Sequence, residues 1–160
     1  METEPLNELK FVADNRGSLT IADYKHSRVI FAKTKRHVFK GMHFQFPNWE
    51  EKTILVVAGV IEEFMIDLDF ESPSFGAVSK FTVDCTSSPK SFVVPRKYGH
   101  GYLTISDEAS IIYLIDEPFH GAQQRSVFVK KIIDALPEGA IIGKRDLEAP
   151  ILEDIDWHAF

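Results

Sequence analysis

The chain has 160 residues, 44% hydrophobic and 26% charged, the balance of an ordinary globular domain with a sizeable core. The formal net charge of −6 argues against a nucleic-acid coat or a membrane-surface protein, and leaves an anionic small ligand only where basic residues gather locally. The acidic start METEPLNELK has no apolar leader, no stretch nears the roughly 20 apolar residues that span a bilayer, and a lone Cys85 excludes an internal disulfide or thiolate cluster and fits a reducing cytoplasm.

In chain order, NELKFVAD near the start reads as one helical turn or a strand. RVIFAK (28–33), KTILVVAG (52–59), VIEEFMIDLD (60–69), SKFTVDC (79–85), SFVVP (91–95), ASIIYLID (109–116) and RSVFVKKII (125–133) all read as strands, being short and rich in β-branched and aromatic residues. In SKFTVDC the alternation sets Phe81, Val83 and Cys85 against Lys80, Thr82 and Asp84. ILVV is apolar on both parities, which predicts a strand covered on both faces. Turn residues punctuate the series at 15–17, 47–48, 72–76, 87–89 and 98–101. Many short strands at this spacing predict an all-β sandwich or barrel, and with no linker or repeat the expectation is one domain over 1–160. The tail KRDLEAPILEDIDWHAF carries Leu147, Ile151, Leu152 and Trp157 and is expected to pack back on the body.

Two histidines stand out. His43 lies in KGMHFQFPNWEEK, where ionisable groups alternate with aromatics, and His100 lies between two glycines in VPRKYGHGYL. The plain alternative for each is an exposed turn histidine. A metal-binding barrel would pair histidines at i and i+2, but HFQ places Gln45 at the second position. Glu50 or Glu51 as the acid and His100 as the distant histidine leave the set one ligand short, and a neutral amide is a poor substitute for imidazole. No metal is expected.

The ordered set DNRGSL (14–19), KGMHFQFP (40–47), EKTILVVAGVIEEFMIDLD (51–69), SPSFG (72–76), VPRKYGHGYL (94–103), ASIIYLID (109–116) and KRDLEAPIL (144–152) resembles the dTDP-4-dehydrorhamnose 3,5-epimerase family, from about Asp14 to Asp154. The resemblance implies a cupin-like (double-stranded β-helix, jelly-roll) barrel with short peripheral helical turns, commonly dimeric, needing no metal or cofactor. It also implies a cytoplasmic isomerase that inverts carbon 3, carbon 5 or both of a nucleotide-linked 4-keto-6-deoxy sugar. By position, His43 corresponds to the base, Asp146 to its carboxylate partner, Lys52 to the lysine after the histidine loop, and Tyr113 to the acid. His100 corresponds to a second pocket histidine, and Arg16 and Lys40 to phosphate-holding arginines. Gln45 and Phe119 fall among the substrate-binding positions.

These residue types suit the chemistry. Removing a proton beside a ketone needs a base that works near neutral pH, which histidine supplies. A carboxylate on the far imidazole nitrogen fixes the tautomer and stabilises the imidazolium. A cation meets the developing enolate, and inversion requires a second group, here a phenol, on the opposite face. Taken singly, the same residues read otherwise: Tyr113 as a core or edge aromatic, Lys52 as a snorkelling surface lysine, Asp146 as a solvated acid or helix cap, Arg16 as a turn arginine.

The chain also departs from the family pattern. RGSLTI lacks the usual aromatics after RG, Lys40 stands for an arginine and loses its two-donor fork, and Phe119 stands for a second pocket tyrosine. A thymidine, guanosine or cytidine diphosphate remains open as the carrier. DNRGSLTIADY also resembles the neighbouring dTDP-sugar 3,4-ketoisomerases, whose paired-histidine motif is reduced here to HFQ. A non-catalytic sugar-nucleotide-binding cupin is the remaining alternative.

Overall fold

A computed structural model describes residues 10–24 and 27–157. In its first half six strands follow one another: β1 (Lys10–Asp14), β2 (Gly17–Tyr24), β3 (Ser27–Lys35), β4 (Val38–Gln45), β5 (Lys52–Ala58) and β6 (Val60–Asp67). The second half adds β7 (Val78–Asp84), β8 (Lys90–Val94), β9 (Tyr98–Thr104), β10 (Glu108–Ile115), β11 (Gln124–Ser126), helix α1 (Lys130–Ile133), β12 (Ile141–Ile142) and helix α2 (Lys144–Leu147). One sheet runs β1-β2-β3-β10-β5-β8 and the other β11-β4-β9-β6-β7, with β12 laid parallel to β4. The result is the expected cupin jelly roll with short peripheral helical turns. NELKFVAD, where it is described, is strand β1.

Between the sheets lie Ala32, Ile54, Val56, Ile61, Val83, Val94 and Ile111. A second cluster, Phe39, Met42, Phe44, Phe64, Ile66, Leu68 and Leu103, is closed by Val127, Val129, Ile132 and Leu152 from the C-terminal segment. The tail packs back as expected, through Leu152, Ile155 and Trp157, whereas Leu147 and Ile151 point outward and are about half exposed. Trp157 and Trp49 close over Phe44 and Phe46, with ring centroids 5.4–6.1 Å apart. The aromatics of KGMHFQFPNWEEK therefore belong to this core rather than to a pocket wall.

Three local expectations are corrected. First, β5 buries Lys52, Ile54 and Val56 on one face and leaves Leu55 and Val57 only half-buried, so ILVV is not covered equally on both sides. Its sheet has barrel interior on one face only. Second, RSVFVKKII is not one strand. Its buried residues Val127, Val129 and Ile132 switch from a spacing of two to one of three, and the chain turns from β11 into α1. Third, residues 98–101 form strand β9, not a turn. The glycines around His100 serve close approach: a Cβ on Gly101 would lie 2.7 Å from Gly41 Cα and Lys40 O on β4.

That approach shapes the site. The β4–β9 register runs Phe39↔Leu103, Lys40↔Tyr102, then jumps to His43↔His100. Gly41 and Met42 together oppose Gly101, a bulge taken up at Gly41 with φ +149°. In a regular strand residues three apart face opposite sides. The bulge restores Lys40 and His43 to the same inward face.

Candidate active site

A cavity of about 390 Å³ opens at one end of the barrel. Its lining brings together eight of the nine positions singled out from the sequence: Arg16, Lys40, His43, Lys52, His100, Tyr113, Phe119 and Asp146. Gln45 is the exception. It is fully buried, its amide donates to Asn48 O at 3.1 Å, and its oxygen accepts from Gln124 Nε2 at 3.3 Å and from the His120 N–H at 3.4 Å. It therefore braces the loop after β4 and does not line the cavity.

His43 Nε2 is 2.6 Å from Asp146 Oδ1 across 103 positions of sequence. The path is short in space because β12 pairs Ile141 with Val38 and Ile142 with Phe39, so that α2 starts beside β4. Asp146 Oδ2 accepts from the Gly41 N–H at 3.3 Å, which ties the carboxylate to the bulge as well as to the imidazole. Asp146 is buried, whereas His43 keeps 30% of its side chain accessible, toward the cavity. One imidazole edge is thus anchored and the ring remains open to a ligand.

Lys52 is not a snorkelling surface residue. It is 5% exposed, its Nζ lies 3.0 Å from Glu50 Oε1 and donates to His43 O at 3.5 Å. Tyr113 lies on β10, in the same sheet as Lys52 and opposite the sheet that carries His43 and His100, tilted against His100 with centroids 5.9 Å apart. Burial, then the neighbouring Tyr102 hydroxyl, push its phenol well above the usual tyrosine value, so it stays a protonated donor. Tyr102 is pushed up to about 12, chiefly by burial.

At the mouth Arg16 is bonded to Asp14 at 2.6 Å, which holds Asp14 below its usual value. Lys40 is lowered by burial and then by the Arg16 charge. A Cβ on Gly143 would overlap the Arg16 guanidinium, so this glycine makes room for it. The Arg28 guanidinium sits 4.1 Å above the Phe119 ring. Arg28, Arg145, Tyr102 and Gln124 line the cavity unforeseen, Glu50, weighed only as the acid of a metal set, lines it as well, and Glu63 lies buried against His100. A signal for Glu63 was present: it shares the inward parity of Ile61 in VIEEFMID. Arg28 opens a strand and gave none.

The lining thus holds five basic side chains, Arg16, Arg28, Lys40, Lys52 and Arg145, against the acids Glu50 and Asp146, in a chain of net charge −6. It suits an anionic ligand. Among the described residues no three His, Cys, Asp or Glu side chains converge as a metal would require. His43 and His100 each face a separate carboxylate.

The chain resembles known proteins along most of its length. The curated protein named dTDP-4-dehydrorhamnose 3,5-epimerase from Mycolicibacterium smegmatis is 27% identical over 122 residues, 74% of this chain and 60% of that protein. The one from Salmonella typhimurium is 24% identical over 130 residues, 76% and 69% of the two chains. The chain thus spans about three fifths to two thirds of these relatives. The same fold is found in a dTDP-6-deoxy-D-glucose-3,5-epimerase from Legionella pneumophila, solved with dTDP-4-keto-L-rhamnose, at a TM-score of 0.74 and 23% identity over 93% of this chain and 87% of that one. It recurs in a 4-keto-6-deoxy sugar epimerase from Streptomyces spheroides, at 0.71 and 24% over 91% and 80%. With the family's sequence profile matching residues 6–154, the chain belongs to the dTDP-4-dehydrorhamnose 3,5-epimerase family.

Proposed function

We propose that this chain is a cofactor-independent epimerase of a nucleotide-linked 4-keto-6-deoxy sugar, acting at carbon 3, carbon 5 or both. The observation that carries the reading is the His43–Asp146 pair at 2.6 Å, opening into the same cavity as Lys52 and Tyr113. His43 removes the proton beside the carbonyl, and Asp146 holds its ring and stabilises the imidazolium. Lys52, with His100, meets the charge that develops on the carbonyl oxygen. Tyr113, on the facing sheet, returns a proton from the opposite side, which inverts the carbon. His43 then gives up the proton it took and Tyr113 is reprotonated by solvent, closing the cycle.

The basic mouth, Arg16, Lys40, Arg28 and Arg145, suits the diphosphate, and Phe119 under Arg28 suits the sugar or base edge. A 3'-monoepimerase from Streptomyces bikiniensis was solved as a double variant of one histidine and one tyrosine that lie about 70 positions apart, the spacing of His43 and Tyr113.

Residues 1–160 act in this reading as one cytoplasmic domain, with Cys85 a buried free thiol. Val93, Thr53 and Leu114, cross-strand neighbours on β8, β5 and β10, form a row on the outer sheet face, and Val93 and Leu114 are 46% and 48% exposed. That row supports a homodimer.

Incubation with 4-keto-6-deoxy sugars carried by thymidine, guanosine or cytidine diphosphate tests the reading. Carbon-3 or carbon-5 inversion, read from proton couplings by NMR, is expected with one of them. A carbonyl moved to carbon 3 would make it a ketoisomerase, and tight binding with no conversion a binding protein; either contradicts the reading.

A further inference from the structure

A second carboxylate–imidazole pair lies beneath the cavity floor. Glu63 on β6 has no exposed surface, and its Oε1 is 3.0 Å from His100 Nδ1. Its Oε2 is buried without a hydrogen-bond partner. The cross-strand neighbours of Glu63 are Tyr102 on β9 and Phe81 on β7. The titratable groups around the pair are Lys52 from β5, His43 from β4, Tyr102 from β9 and Tyr113 from β10. Lys52, whose charge acts on Glu63, has its close ion pair with Glu50. Tyr102 also leaves its hydroxyl without a partner in bonding geometry.

An ionised carboxylate at this position would keep one bare oxygen in a dry interior, at a cost of several kcal/mol. A carboxylic acid needs less: its single proton can be donated from Oε1 to Nδ1, and Oε2 is left as a neutral carbonyl oxygen. The electrostatics agree. Burial holds Glu63 well above the ordinary carboxylate range. His100 is held well below the ordinary histidine value by burial, then by the electrostatic influence of the neighbouring Lys52 and His43. A neutral imidazole has one N–H. If Nδ1 accepts from Glu63, that hydrogen is on Nε2, the ring edge left to the cavity that His100 lines.

We infer that Glu63 keeps its proton and, by donating it to Nδ1, fixes His100 as the Nε2–H tautomer, a neutral hydrogen-bond donor aimed at the substrate carbonyl oxygen beside Lys52. Glu63 is then a positioning residue that never touches substrate. A neutral donor suits this place: a second cation beside Lys52 would be repelled, and a bare nitrogen would repel the oxyanion. The assignment of a carbonyl ligand rests on the function proposed above; the tautomer does not.

Two measurements test it. In ¹⁵N-histidine NMR of the wild-type protein at neutral pH, with His100 assigned by the loss of its signals in His100→Gln, a protonated Nε2 and a bare Nδ1 are expected. A protonated Nδ1, alone or with Nε2, would overturn the inference. The second is Glu63→Gln, whose amide N–H can donate to Nδ1 as the acid does. It should keep the same tautomer and a kcat within about threefold of wild type. A loss of about tenfold or more would mean that the carboxylate charge is required, and would also overturn it. If no sugar is turned over by wild type, the function reading fails while the NMR result still decides the tautomer.

Discussion

At the residue scale the account rests on a division of labour between His43 and Tyr113. They come from different sheets and line one cavity, so a proton can leave on one side of the sugar and return on the other. The variant Tyr113→Phe should therefore separate the steps. It should still wash deuterium from solvent into recovered substrate, while inversion falls by roughly 10²- to 10⁴-fold. Equal loss of exchange and inversion would place Tyr113 outside the proton-return step. Asp146→Asn should lower kcat by a similar order with a smaller change in KM, because the amide no longer stabilises the imidazolium. It should also loosen the bulge slightly, since Asp146 accepts the Gly41 N–H. The expectation that His43, Lys52, Tyr113 and Asp146 act together came only from the ordered motifs. No local pattern places Asp146 at 2.6 Å from a residue 103 positions earlier, because that contact depends on β12 returning to β4.

At the scale of elements, the strands β3, β5, β6, β7, β8 and β10 could be read from β-branched and alternating residues. The strands that carry the two site histidines were harder. β4 and β9 each contain glycine, which ordinarily signals a turn, and here the glycines are small because two backbones meet. Gly101→Ala tests this. Its Cβ would press on Gly41 Cα and Lys40 O, costing about 1–3 kcal/mol in urea unfolding and shifting His43 relative to His100. Unchanged stability would refute the close-approach account of the bulge. The C-terminal segment escaped a strand-based reading for a different reason. Its apolar residues serve one stripe, Val127, Val129 and Ile132, that passes through a change of secondary structure. Gln45, placed among the substrate-binding positions by the family resemblance, does not line the cavity. Its partners, Asn48 O, the His120 N–H and Gln124, come from the loop after β4 and from the segment around β11, and neither is visible in the motif.

At the scale of the whole molecule, an acidic chain gathers five basic side chains around one cavity, and it buries one titratable pair, Glu63 and His100, whose protonation couples to folding. For Glu63 the folded state holds its proton above the ordinary value of 4.5, so it binds more protons than the unfolded chain as pH rises past that value, and stability falls. For His100 the folded value lies below the ordinary 6.5, so stability is lost as pH falls below it. Melting temperature should thus decline on both sides of a maximum. Glu63→Gln should remove the loss on the alkaline side of 4.5 and leave the acid-side loss in place. Parallel melting profiles for the two proteins between pH 5 and 8 would show that Glu63 is ionised in the folded state. Sedimentation should give a dimer, and Leu114→Lys, in the exposed row with Val93, should shift it toward monomer without changing the far-UV spectrum.

The central claim is that His43, backed by Asp146, takes a proton from carbon 3 or carbon 5 of a nucleotide-linked 4-keto sugar. The most direct measurement is incubation of the folded protein with such sugars in deuterated water, with deuterium located by NMR. The account predicts incorporation at carbon 3, carbon 5 or both with one nucleotide carrier, and a drop of roughly 10²- to 10⁴-fold in His43→Asn. No deuterium at either carbon across the thymidine, guanosine and cytidine diphosphate sugars, or incorporation that survives His43→Asn, would contradict it.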